Sequence, residues 1–166
     1  GQDATNLTAF GLTIEGVWEP CDGYGASTEG LLIGLEERMD VSFAPILKGP
    51  SWQNSHPSAA RLAAQTTPAR CYLTYRSVAQ NWDSMITYRP GSKRILMTMF
   101  EGTKVPSTWK ERAEHKINHL VVPSTFCRDV FKADGWQVPI SVIPLGIRSD
   151  IFKYAERTLP TNRPYR

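Results

Sequence analysis

Short β-prone runs and helical stretches alternate along almost the whole chain, and this order restricts the fold more than any other feature. Leu12 to Trp18 alternates and is rich in strand formers, so it reads as a first strand. From Ala26 the pattern turns helical, with Leu31, Leu32, Leu35 and Met39 on one face and Glu29, Glu36 and Glu37 elsewhere. Val41 to Ile46 reads as a second strand, Ser58 to Gln65 as one or two helical turns, and Cys71 to Tyr75 as a third strand. Arg94 to Phe100 is a nearly continuous apolar run, the pattern of a strand buried on both faces of a parallel sheet. A helix over Pro106 to Lys116 follows, then a strand over Ile117 to Val122. Ser124 stands where it caps a helix over Thr125 to Asp134, and Gly135 stands where that helix stops. Phe126 with Val130 and Cys127 with Phe131 give that helix an inward face, and Ile140 to Ile143 is the last strand.

Strand, helix, strand in repetition predicts the α/β class, a doubly wound parallel sheet with helices on both faces, Rossmann-like in outline. At 166 residues the chain suits one domain, here expected over 1–154. Residues 155–166 carry two prolines and little apolar content, and read as a linker leaving it. No apolar run approaches the roughly 18 residues that a spanning helix needs. Gly1 to Asn6 lacks a basic stretch followed by an apolar one, so no secretory signal is expected at this start. Cys21, Cys71 and Cys127 are far apart, and no pair has the spacing of a zinc or redox motif. Reduced thiols in the cytoplasm are the expectation, and Asn6-Leu7-Thr8 is then a chance glycosylation match. A net charge of +3 with no Lys/Arg cluster argues against nucleic acid as a partner.

In an open parallel sheet, ligands bind beyond the carboxyl ends of the strands, where the strand order reverses. The loops to watch are therefore Cys21 to Gly25, the loop after Tyr75, Glu101 to Val105, Pro123-Ser124, and Pro144 to Asp150. Gly23-Tyr24-Gly25 joins a strand to a helix, where backbone N–H groups and the helix dipole favour an anion; a plain tight turn explains it equally well. It is not a dinucleotide fingerprint, because Thr28 stands where the third glycine belongs. It is not a P-loop either, because Leu31-Leu32 replaces Lys-Ser/Thr. Glu101 follows a buried strand and suits sugar-hydroxyl binding or acid/base work, with a solvated carboxylate or a partner for Lys104 as the plainer reading. Asp22 and Asp83 are weaker cases of the same argument. Glu111, His115 and His119 are spaced by four, but the helix is expected to end before His119, so no metal site is expected. Trp109 and Trp136 read as packing residues.

The second half carries a resemblance. Leu120-Val121-Val122-Pro123-Ser124-Thr125-Phe126, then Gly135, then Val138 to Ile147 with Pro144-Leu145-Gly146-Ile147, and finally Phe152, resembles the end of the amino-terminal domain in family 4 glycosyltransferases. Phe100-Glu101 followed by Pro106 and Trp109 resembles a segment of a subset of that family, and Gly23-Tyr24-Gly25 with Leu31-Leu32 resembles its glycine-rich loop and first helix. The resemblance implies one half of a GT-B fold, the acceptor-side half, with the donor-binding carboxyl-terminal domain absent from this sequence. It implies transfer of a sugar from a nucleotide-sugar to a glycan, lipid or other acceptor, with retention and without a metal or other cofactor. Gly23, Tyr24, Gly25, Pro144, Gly146 and Arg148 would then lie at the donor diphosphate and cleft. Glu101 would be the candidate catalytic group, and Asp22, Asp83 and Ser124 would lie on the acceptor side. Two departures stand out: the fourth strand ends Thr98-Met99-Phe100-Glu101 without the family's His, and Arg148 replaces the Asp of Gly-Val-Asp. Both suit the alternative, a stand-alone Rossmann-like binding or interaction module. The implied setting is the cytoplasm, with weak peripheral membrane contact through Lys104, Lys110, Arg112 and Lys116 as an option beside an ordinary solvated helix face.

Overall fold

Six parallel strands form one sheet in the order β2-β1-β3-β4-β5-β6, in a computed structural model that describes residues 11–65, 69–76 and 91–156. The strands are β1 (Gly11–Trp18), β2 (Val41–Lys48), β3 (Ala69–Tyr75), β4 (Lys93–Met97), β5 (His119–Val122) and β6 (Ile140–Val142). The helices are α1 (Gly23–Glu36), α2 (Pro57–Ala63), α3 (Ser107–Ala113) and α4 (Thr125–Ala133). The parallel Rossmann-like sheet expected from the sequence is thus present. Asp83 lies outside the described residues, as do Asn6 to Thr8 and all of the expected linker beyond residue 156.

Alternation along the strands sorts the core into two layers. Leu12, Ile14 and Trp18 of β1 and Val41 and Phe43 of β2 point to one face, where Leu32 of α1 and Ala59 and Leu62 of α2 cover them. Tyr75, Met97 and Val121 continue that face across β3, β4 and β5, packed by Tyr24 and Leu31 of α1. On the opposite face, Leu96, Leu120 and Val122 pack against Ala113 of α3 and Cys127, Val130 and Phe131 of α4. Each fully buried side chain of this size contributes about 1.5–3 kcal/mol relative to its exposed state.

Helix α1 approaches the sheet closely because small residues face each other. A Cβ on Gly16 of β1 would sit 2.7 Å from the Thr28 hydroxyl oxygen of α1, so only glycine lets the helix seat there. Ser124 caps α4, accepting the Cys127 N–H at 3.2 Å, and Gly135 ends it with a φ of +82° that a side chain would resist. Phe126 is the exception on this helix: it is exposed, and the inward face is Cys127, Val130 and Phe131.

Three boundaries differ from the sequence expectation. Helix α1 begins at Gly23, so Gly23 and Gly25 belong to its first turn and not to a loop. Strand β4 ends at Met97 rather than Phe100. The Thr98 hydroxyl donates to the Arg76 carbonyl at 2.9 Å, and Phe100 swings into the core against Trp109 and Phe131. Helix α3 tightens into a 3₁₀ turn over Glu114–Lys116, where the Glu114 carboxylate accepts the N–H groups of Gln137 and Val138.

Candidate functional site

The strand order reverses between β1 and β3, since β2 lies to one side of β1 and β3 to β6 to the other. The crevice beyond the carboxyl ends of β1 and β3 is therefore where this topology opens a ligand site. Its wall on the β1 side is built around Glu19. This buried carboxylate accepts the Ser51 N–H at 2.7 Å and the Cys21 N–H at 3.1 Å. A Cβ on Gly25 would lie 1.9 Å from the Glu19 carbonyl oxygen, and one on Gly49 would lie 2.2 Å from its carboxylate. Gly25 is thus fixed by packing of α1 on the loop before it. Gly23 has open space around it.

Asp22 changes what the start of α1 can do. Its carboxylate accepts the N–H of Tyr24 at 2.9 Å and of Gly25 at 3.1 Å, so the side chain supplies the negative charge that the helix dipole favours. Any diphosphate arriving here meets amides already engaged by an aspartate. Asp22, expected on the acceptor side, is the N-cap of α1, and Ser124, expected there too, is the N-cap of α4.

Tyr24 reaches from α1 over the ends of β3 and β4. Its ring lies 5.2 Å from that of Tyr75, and its hydroxyl sits by the Thr98 side chain and the Met99 backbone. Burial raises its pKa, and the nearby Tyr75 and Glu101 raise it further, against the hydrogen bonds from Met99 and Thr98. Tyr24 is therefore a neutral phenol at physiological pH. Arg76, directly after β3, is partly buried beside it; desolvation lowers the guanidinium pKa and the Tyr24 phenol opposes that shift. Glu101 is exposed and lies near enough to the Tyr24 phenol to act on it electrostatically. Tyr24, Arg76, Thr98 and Glu101 thus converge at the switch point.

A second group of expected residues gathers nearby. After β6 the chain folds back toward α1, and Ile143 to Arg148 with Phe152 encloses a pocket of about 370 Å³ against Ala26, Ser27, Gly30 and Leu31. Tyr75 and Met97 lie beneath it. Pro144, Gly146 and Arg148 all line this pocket. Arg148 is held by two carboxylates: Asp150 at 2.6 Å and Glu29 of α1 at 3.3 Å. Its hydrogen bonds to Asp150 raise the guanidinium pKa, and the same contact lowers Asp150 to about 2. Arg148 is accordingly a strut between the returning segment and α1.

The sequence marked the loop after Tyr75 without singling out Tyr75 or Arg76, and gave no sign of Ser27 or Glu29. The signal for the first two was available, since Tyr75-Arg76 closes the strand that neighbours β1 across the reversal. Ser27 and Glu29 carry no such mark, because their relevance depends on where the segment after β6 lands. Among the described residues no cluster of three or more His, Cys, Asp or Glu is placed to hold a metal ion. His119 sits in β5 with its Nε2 2.8 Å from the Ser141 hydroxyl, while the His115 ring faces the Glu111 carbonyl, so the helical spacing of those residues does not make a site. No described helix is long and apolar enough to cross a membrane. Comparisons with protein-family models, curated proteins and solved structures give no match to this chain.

Proposed function

We propose that this chain is the acceptor-side, Rossmann-like half of a GT-B glycosyltransferase, which moves a sugar from a nucleotide-sugar to a glycan, lipid or other acceptor with retention. The observation that carries the reading is the convergence of Tyr24, Arg76 and Glu101 at the reversal between β1 and β3 of an all-parallel sheet. A cation and neutral phenols there suit a developing negative charge, and an exposed carboxylate suits a sugar hydroxyl. The residues after β6 that resemble the family's Pro-x-Gly segment line the same side of the sheet.

Half a cleft cannot exclude water from a reacting sugar, so the 166-residue chain alone is expected to be inactive. The test is transfer from a panel of radiolabelled UDP-, GDP- and ADP-sugars, with this chain and with the same chain joined to a donor-binding domain. Transfer only by the joined protein, reduced at least tenfold by Glu101→Gln, supports the proposal. No transfer from any donor by the joined protein overturns it.

A stand-alone binding module is the second reading, favoured by one observation: Asp22 already occupies the helix amides that would meet the diphosphate. Nucleotide-free ligand binding by the chain, with no transfer in any form, would select it.

A further inference from the structure

Eight large apolar side chains are exposed among the described residues, and six of them stand in the segment after β6: Ile143, Leu145, Ile147, Ile151, Phe152 and Tyr154. Ile147 is 78% exposed and Tyr154 93%. At roughly 150–250 Å² for a whole aromatic side chain and somewhat less for an aliphatic one, the six present on the order of 700 Å². That exceeds the largest apolar patch of an ordinary monomer, about 300–600 Å². It approaches one side of a standard protein interface, about 800 Å².

The segment is pinned in place. Arg148 ties it to Glu29 of α1 and to Asp150, and the Arg148 carbonyl accepts the N–H groups of Ile151 at 3.1 Å and Phe152 at 2.7 Å. A surface already ordered loses little entropy when it docks. It also carries a hole beside a knob. Ile143, Leu145, Ile147 and Phe152 wall the pocket of about 370 Å³ against Gly30 and Leu31, which is large enough for an aromatic ring, and Tyr154 projects two residues beyond Phe152. Aromatic side chains seated in pockets are the usual energetic anchors of protein interfaces. The charges of the segment balance, Arg148 and Lys153 against Asp150 and Glu156, so no basic excess draws it to an anionic lipid surface. Lys153 and Glu156 have no ion pair among the described residues, and each supplies the charge that the other lacks.

We propose that this surface binds a second copy of the chain about a two-fold axis, with Tyr154 of each copy seated in the pocket of the other. Knob and hole lie on the same surface, so the contact is made twice, as an isologous interface requires. Lys153 and Glu156, three residues apart, give the rim the paired opposite charges that a two-fold axis brings together. The inference does not rest on the glycosyltransferase reading.

The test is sedimentation equilibrium of the 166-residue chain between about 1 and 100 μM, the weak end of the range for interfaces of this size. A monomer–dimer equilibrium is expected. Tyr154→Ala removes the knob, and because that side chain is almost wholly exposed, the variant should fold as well as the parent. A Cβ on Gly30 meets nothing within 4 Å, so Gly30→Leu fills the hole without a backbone clash. Each change should weaken the dimer at least tenfold, with thermal unfolding by circular dichroism as the check on folding. The two variants are then mixed. A Tyr154→Ala copy keeps its hole and a Gly30→Leu copy keeps its knob, so the mixed pair retains one insertion of two and should associate at least threefold more tightly than either variant with itself. A monomer at every concentration overturns the proposal, as does a dimer that Tyr154→Ala leaves unchanged. A mixed pair no tighter than its parents overturns the reciprocal insertion. No sugar donor is present, so failure to dimerise and failure to transfer a sugar are separate results.

Discussion

Gly25→Ala gives a sharp test of how α1 is seated. Within a helix, alanine is ordinarily favoured over glycine by about 0.5–1 kcal/mol. At Gly25 the added Cβ would meet three backbone atoms of Glu19: the carbonyl oxygen at 1.9 Å, the carbonyl carbon at 2.7 Å and the nitrogen at 3.0 Å. None of these belongs to a flexible side chain that could turn away. Ordinary contact begins at 3.4 Å, so the helix start or the Glu19 loop must shift by about 1.5 Å. Glu19 cannot move freely either, since its carboxylate holds the Ser51 and Cys21 N–H groups. Overpacking of this kind costs roughly 1–3 kcal/mol, and the rigidity of both partners places this case high in that range. Net of the helix-propensity gain, Gly25→Ala should destabilise the fold by about 2 kcal/mol, lowering Tm by about 4–8 °C. Gly34→Ala on the same helix is the control. Its Cβ meets nothing within 4 Å, so it should gain about 0.5–1 kcal/mol. Both are read by urea unfolding followed by circular dichroism. A Gly25→Ala protein as stable as the parent would refute the tight seating of α1 on Glu19.

Further expectations concern capping, charge and core. Asp22→Asn keeps an acceptor for the Tyr24 and Gly25 N–H groups but removes the charge, so stability should change by less than about 1 kcal/mol while inorganic pyrophosphate binds more tightly; equal pyrophosphate affinity in a calorimetric titration would show that the aspartate does not guard the helix start. Asp150 is depressed from 3.8 to about 2, so its ion pair with Arg148 is complete above about pH 4 and is lost as pH falls through 2. Carboxyl ¹³C shifts should report that low midpoint, and Arg148→Met should bring it back toward 3.8. Phe131 has no exposure and packs against Phe100 and Trp136, so Phe131→Ala should cost about 3–5 kcal/mol in chemical unfolding. A loss below 1 kcal/mol would mean that the layer under α4 collapses to fill the space.

The architecture was legible because its signals are local. Alternation over Leu12 to Trp18, the apolar run at Ile95 to Met97, and the Ser124 and Gly135 punctuation each announce an element without reference to the rest of the chain. Where the reading slipped, a distant contact had overruled the local pattern. Apolar character ran on to Phe100, yet that ring is worth more against Trp109 and Phe131 than as a strand residue. Gly23 and Gly25 look like a loop, but Asp22 supplies the cap that starts the helix before them. The candidate site was legible in part for the same reason. Topology marks the loops at the strand ends, which is where Tyr24, Glu101 and the Pro144 to Arg148 segment lie. Which of their polar atoms are already engaged depends on partners far away in sequence, such as Glu29 for Arg148, and no spacing rule reports that.

Glu29 also has a wider reach than its one contact with Arg148 suggests. One of its oxygens takes the Arg148 guanidinium and the other takes the His56 N–H at the start of α2, partners 119 and 27 residues further along the chain. The connection leaving β2 and the segment returning from β6 therefore share a single hinge pin on the middle of α1. A turn of that carboxylate that lengthens one contact changes the other, so the chain segments that follow the two edge strands of the six-stranded sheet are geared together through one side chain.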